Sequence, residues 1–327
     1  MAAEVRGGGA LGRQDRARAW ARAIGVQLLI LAITLGVAEA VLRVVDLRYL
    51  RLDESGVQPV YAHDAELGWF PIPNSNQTYT GSRTVQVHHN SLGFRDIEPG
   101  ETGKPTIAFV GDSFVWGYDS QEGERFTDLL RAAMPNQRVV NLGVNAYGTD
   151  QEYLMLQRFW DRFTPAVVVL MVCVDNDRIE NSTNLRYDGP YKPYFVLAAN
   201  AFAGQPVPWS RHLYFGHYWL ARHSWIVRVG VSAYVYWKHP PVRLPDPTEH
   251  LISMMREMVV AKGGKFLIGL ERSDPRYEAF FKAEKIPYTA FDGAEAYPTH
   301  GAHWTPKGNA FVADRLKQFL ADNGLAP

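Results

Sequence analysis

The sequence predicts an α/β domain in which a parallel sheet of about five strands carries helices on both faces. A transmembrane helix precedes it and an aromatic-rich insertion follows its third strand. Three observations carry this. From Pro105 onward, short apolar runs alternate with stretches of helical apolar spacing, the pattern of parallel strands joined by crossover helices. A long apolar stretch lies near the N-terminus behind an excess of arginine. Between residues 178 and 245 the alternation stops and aromatic residues crowd together.

The N-terminal element is read from charge. Arg6, Arg13, Arg16, Arg18 and Arg22 precede a run from Ala23 to Ala38 that contains no charged residue. Continued through Val45, the run reaches the roughly 20 residues that a spanning helix needs. Glu39 and Arg43 stand four apart, so they can pair on one face near the interface. Residues 1–22 are therefore expected inside as an arginine-rich tail, with 23–45 as an uncleaved signal anchor, since no Ala-x-Ala cleavage site precedes a polar start. The rest of the chain is expected on the periplasmic side of the inner membrane. A buried or interfacial amphipathic helix is the other reading of this stretch.

Residues 46–104 read as an N-terminal extension, with turn formers at Pro59, Pro71, Pro73, Asn74 and Gly81 and a short alternating strand over 84–88. Residues 105–327 form the main domain. Strands are expected at 106–111, 137–142, 166–173, 264–270 and 286–291. Helices fit 124–134, 149–163, 246–262, 275–284 and 306–323, the last with Thr305 as cap and Pro306 in its first position. The insertion 178–245 could be a lid over a substrate, a subdomain with its own core, or a membrane-facing patch rich in Trp and Tyr.

Composition narrows the function. The 327 residues include 34 basic and 34 acidic side chains, and no Lys/Arg run suggests a phosphate-backbone groove, so nucleic acid is not an expected partner. The one cysteine, Cys173, excludes an internal disulfide and fits a small core residue inside the run 167–174.

The chemistry begins at Gly111-Asp112-Ser113-Phe114, directly after the apolar run 107–110. A serine there stands in a strand-to-helix turn at the carboxyl edge of the sheet, where ligands of such sheets bind. Asp112 can accept hydrogen bonds from free N–H groups of the next segment. A serine nucleophile needs a base, and His303, just before the last helix, comes from another strand's carboxyl end. N–H donors for an oxyanion are available from Ser113, from the loop 141–148, and from the carboxamide of Asn176.

These segments resemble the four blocks of the SGNH (GDSL-type) hydrolase family over residues 105–323. The segment from Asn90 to Asp96 resembles one that leads into membrane-anchored bacterial members. The resemblance implies a three-layer flavodoxin-like sheet with Ser113 as nucleophile, His303 as base, and Ser113, Ala146 and Asn176 around the oxyanion. Two positions depart from the pattern. The family's oxyanion glycine falls on Ala146, which is tolerable at negative φ and strained at positive φ; Gly143 or Gly148 could share that strain. His300 stands where the family has the aspartate of Asp-x-x-His. Asp292 or Glu295 could then act as a displaced acid, or a backbone carbonyl could orient the ring.

A zinc site made from His300, His303 and His88 or His89 is set aside because no acidic partner or known ligand spacing accompanies it. Asp175, Asp177 and Glu180 read as a solvated loop, with Asp177 tying the turn together through N–H groups. The expected function is a serine esterase, acyl hydrolase or O-acyltransferase. It would act without a cofactor on an ester-linked acyl group, of a carbohydrate or cell-envelope molecule. The alternative is a weakened or inactive SGNH-fold protein serving as a binding component of envelope polysaccharide machinery. No protein partner is identified.

Overall fold

The computed structural model describes residues 12–52, 60–100, 103–174, 176–187, 189–299 and 301–325. Arg6, Pro59, Asp175 and His300 lie outside the described residues. The chain forms two compact units, Met1–Glu54 with Arg211–Trp237, and Ser55–Ser210 with Lys238–Pro327. The helices in chain order are α1 (Arg13–Val45), α2 (Ser113–Trp116), α3 (Phe126–Ala133), α4 (Thr149–Phe163), α5 (Asp177–Asn181) and α6 (Arg211–His217). They continue with α7 (Trp219–His223), α8 (Trp225–Lys238), α9 (Thr248–Ala261), α10 (Pro275–Ala283) and α11 (Pro306–Asp322).

The larger unit is built on five parallel strands: β1 (Thr106–Gly111), β2 (Arg138–Gly143), β3 (Val167–Val172), β4 (Lys265–Leu270) and β5 (Tyr288–Ala290). Their spatial order is β2-β1-β3-β4-β5, the flavodoxin-like arrangement, with the switch point beside β1. Side chains alternate between the two faces. Ala108 and Val110 of β1, with Val168, Leu170 and Val172 of β3, pack under α4, α9 and α10. Ile107 and Phe109, with Val167, Val169 and Met171, pack under α3 and α11. Both faces are covered, which is why these strands read as unbroken apolar runs.

The expected helix 149–163 is present at full extent, and Thr305 caps α11 by accepting from Gly308 N at 3.1 Å. The fifth strand is shorter than expected. Ile286 N is drawn back to the carbonyl of Phe281, and Pro287 has no N–H to give. The strand 84–88 is one arm of a hairpin with Asn76–Thr80, and a second hairpin pairs Tyr61–Asp64 with Gly68–Pro71.

The smaller unit joins α1 to part of the insertion. α1 is long and apolar enough to cross a membrane, and none of its apolar window is buried. Glu39 and Arg43 pair at 2.8 Å, as their spacing suggested. Leu50, Phe215 and Ala221 form a small core, against which Leu42, Trp225 and Val231 pack.

Candidate active site

Ser113 is held by three local devices. The Asp112 carboxylate accepts from Phe114 N at 3.0 Å and caps the single turn α2. Gly117, at φ +86°, ends that turn in the left-handed region that glycine enters without a Cβ penalty. Gly143 lets the turn lie on β2: a Cβ there would stand 2.3 Å from Trp116 N and 2.6 Å from the carbonyl carbon of Val115. Asn141, on β2, donates to Val115 O at 2.6 Å and to Thr127 Oγ1 at 3.0 Å.

The segment Asn90–Asp96 braces this turn from outside the sheet. Arg95 is buried, donates to the carbonyls of Trp116, Gly117 and Ser120, and lies over the Trp116 ring. His89 Nε2 accepts from Trp116 Nε1 at 3.1 Å while Nδ1 meets Ser75 Oγ at 2.9 Å. Burial and the nearby Arg95 guanidinium push its pKa down to about 3, so this ring stands neutral between Ser75 and Trp116.

His303 reaches the same edge from the loop before α11. Its Nε2 stands 2.7 Å from Ser113 Oγ, and both residues are buried. Ser113 Oγ is also 3.4 Å from Asp112 Oδ2, a much weaker contact. The imidazole is gripped by rings: Tyr118 stacks on it with centroids 4.2 Å apart and planes at 20°, and Phe114 lies at 5.0 Å. Its backbone is fixed as well, with Tyr297 N donating to His303 O at 2.9 Å.

The structure corrects the displaced-acid expectation. Both carboxylate oxygens of Asp292 are taken by Ser273, from its N–H at 3.0 Å and its hydroxyl at 2.5 Å. Glu295 accepts from Thr305 Oγ1 at 2.8 Å and from Lys307 Nζ at 3.2 Å. Asp292 is thus engaged from the loop after β4, and Glu295 from the start of α11. His300 lies outside the described residues.

The loop after β2, where oxyanion donors are expected, is pinned by Trp69, whose Nε1 donates to Asn145 O at 3.2 Å, and by Tyr147, whose hydroxyl donates to Trp69 O at 2.5 Å. Ala146 sits at φ +67°, so the strain anticipated for an alanine at this position is present. The glycines do not share it: Gly148 has φ −99° and Gly143 is outside the left-handed region. Asn176, at the start of α5, points Nδ2 toward Asp112 Oδ2 at 3.5 Å, and its buried Oδ1 has no partner among the described residues.

Behind this edge lies a buried layer of acids. Asp177 accepts from Cys173 N at 3.0 Å and so ties the turn as expected, but the expectation of a solvated loop is corrected: Asp177 and Glu180 are buried in α5. Burial and then the Asp112 charge raise its carboxyl well above the usual range. Glu152 is raised in the same direction, by burial first and then by Asp177, Asp112 and Asp150, and neither of its oxygens has a partner among the described residues. Lys192, fully buried, pairs with Asp150, and Arg186 pairs with Glu180. Cys173 is a core thiol pushed up by burial.

Sequence reasoning missed Tyr118 and Phe114 as neighbours of His303. Their proximity to Ser113 in the chain was the available signal, but stacking on a residue 185 positions away from Tyr118 leaves no local pattern. It also missed the buried acids Asp150 and Glu152 on α4. The aromatic insertion divides: Phe195 and Phe202 pack on one another at 5.1 Å and Phe202 stacks on Tyr153 of α4, whereas residues 211–237 fold with α1.

No protein-family model matches this chain, and no curated protein matches it. Solved structures are similar to it. A GDSL-like lipase from Bacteroides thetaiotaomicron is 13% identical with a TM-score of 0.39, over 69% of this chain and 93% of that one. A two-domain esterase active on acetylated mannans is 10% identical with a TM-score of 0.41, over 68% of this chain and 51% of that one. A carbohydrate acetylesterase family member from Sinorhizobium meliloti is 13% identical with a TM-score of 0.36, over 66% and 99%.

Proposed function

We propose that the protein is a serine acyl hydrolase or O-acyltransferase acting on an ester-linked acyl group. The observation that carries this reading is the 2.7 Å contact between Ser113 Oγ and His303 Nε2. At that distance the imidazole, with its own hydrogen on Nδ1, can take the serine proton as the oxygen attacks the ester carbonyl. The tetrahedral oxyanion would be met by the N–H groups of Ser113 and Ala146 and by the Asn176 carboxamide. Collapse expels the alcohol, which receives the proton from His303, and leaves the acyl group on Ser113. Water, or a hydroxyl of an acceptor, then attacks with His303 again as base. The ring contacts of Tyr118 and Phe114 support the orientation of His303, the task an aspartate performs in a three-residue arrangement.

The substrate we assign is an acylated carbohydrate or other envelope molecule, met outside the inner membrane by a chain anchored through α1. A fluorophosphonate probe tests the chemistry. Labelling of the wild type that disappears in Ser113→Ala and falls at least about 10³-fold in His303→Ala is expected. A folded wild type that does not label would refute the reading and leave the binding-protein alternative. For topology, a reporter fused after residue 60 should be active only outside the cytoplasm; cytoplasmic activity would overturn the anchor.

A further inference from the structure

We propose that α8, together with the turn carrying Trp219 and Leu220, lies on the outer surface of the bilayer that α1 crosses, so that the smaller unit is a spanning helix with an interfacial foot. This rests on the anchor reading of α1. Four observations on α1 and residues 211–238 lead to it.

The first is polarity. α8 buries two polar side chains while one of its faces exposes apolar ones. Arg228 and Ser232 are buried, while Val229, Tyr234 and Trp237 are 38%, 45% and 79% exposed. Val229, Ala233 and Trp237 recur every fourth residue, with Tyr234 beside them, so they form one face. Arg228 is fully engaged inward, donating to the carbonyls of Ala221, Leu50 and Arg222 at 2.6–2.7 Å. In water this arrangement wastes the apolar face; against lipid it is the favourable one.

Depth is the second. The charge-free run of α1 is bounded by Arg22 and Glu39, and Glu39 stands toward the outer end of the anchor 23–45. There the Glu39 carboxylate accepts from Trp225 N at 3.0 Å, Ile226 N at 3.1 Å and Ser224 Oγ at 3.0 Å, capping the start of α8. The acid near the end of the apolar helix thus has a structural task, and it fixes α8 at interface level.

The third is residue type. Exposed Trp219 and Trp237 and exposed Tyr218 and Tyr234 are the side chains that collect at the boundary between headgroups and acyl chains. Charge is the fourth. Residues 211–238 contain no Asp or Glu but include exposed Arg222 and Lys238, which suits an anionic lipid surface.

The test uses the full chain, with Cys173→Ala as background, in nanodiscs of phosphatidylcholine and phosphatidylglycerol. Single cysteines at Leu31, Trp237 and Asp314 carry an environment-sensitive fluorophore, and acyl-chain-brominated lipid is the quencher. The expected result is at least about twofold quenching at 31 and at 237, with none at 314. Quenching at 31 without quenching at 237 overturns the interfacial foot and leaves the anchor standing. Absence of quenching at both overturns both. Cross-linking between the 237 sites of two chains, with no lipid quenching there, would show a protein partner on this face and also overturn the proposal. Tyr234→Cys provides a second site on the same face and should behave as 237 does.

Discussion

Substituting Gly143 by alanine, in a strand that does no chemistry, should disable Ser113. The added methyl carbon would stand 2.3 Å from Trp116 N and 2.7 Å from Val115 Cβ, where ordinary contacts begin at about 3.4 Å. The backbone of β2 is locked into the sheet on one side by β1, with Gly111 opposite Gly143, and cannot retreat. The turn α2 must therefore move away by about 1 Å. Ser113 is carried on that turn, so its 2.7 Å contact with His303 stretches past hydrogen-bonding range. A displacement of that size costs on the order of 10²-fold in rate. Overpacking of this kind costs about 1–3 kcal/mol of stability, which in a domain of this size lowers the unfolding midpoint by roughly 2–4 °C per kcal/mol. Second-order labelling by a fluorophosphonate and thermal unfolding followed by circular dichroism measure the two effects. A Gly143→Ala protein that labels at the wild-type rate would refute the reasoning, because it would mean that the position of α2 does not depend on the bare glycine.

Ala146→Gly should stabilise the protein. It relieves a left-handed alanine worth about 1–2 kcal/mol against about 0.5–1 kcal/mol of extra chain entropy, while keeping the N–H donor; a lower unfolding midpoint would contradict this. Tyr118→Leu should slow labelling about tenfold and Tyr118→Phe should leave it unchanged, since the ring face and not the hydroxyl meets His303; equal rates for all three would remove Tyr118 as a positioning residue. The buried acids give a pH signature. Glu152 holds its proton in the folded chain above the 4.5 at which the unfolded chain releases it, so its contribution is full below 4.5 and is lost as pH rises toward the folded value. Glu152→Gln should remove that slope and be more stable than wild type at pH 8, by about 1–3 kcal/mol, the scale of a buried unpaired polar group. A wild-type profile flat between pH 5 and 8, together with a destabilised Glu152→Gln, would show that the carboxylate is needed in its charged form.

The sheet was legible in the sequence because a strand buried on both faces must be apolar at every position, and such runs as Ile107–Val110 and Val167–Val172 have no surface reading. Cap chemistry is equally local, which is why Asp112, Thr305 and Pro306 announced the starts of their helices. The apolar stretch of α1 is likewise set by composition alone. Only the tertiary structure decided how the site is supported. The sequence left open whether Asp292 or Glu295 approaches His303; in the fold Asp292 meets Ser273, Glu295 meets Thr305, and the Tyr118 ring stacks on the imidazole. The sign of φ at Ala146 depends on the path of a loop pinned from Trp69, 77 positions away. That Arg228 of α8 points inward while Trp237 and Tyr234 face outward is visible only in the fold. Secondary structure follows from the nearest few residues, whereas the partners of a side chain are set by contacts across hundreds of positions, so the sequence names the serine and the histidine and the fold brings them within 2.7 Å.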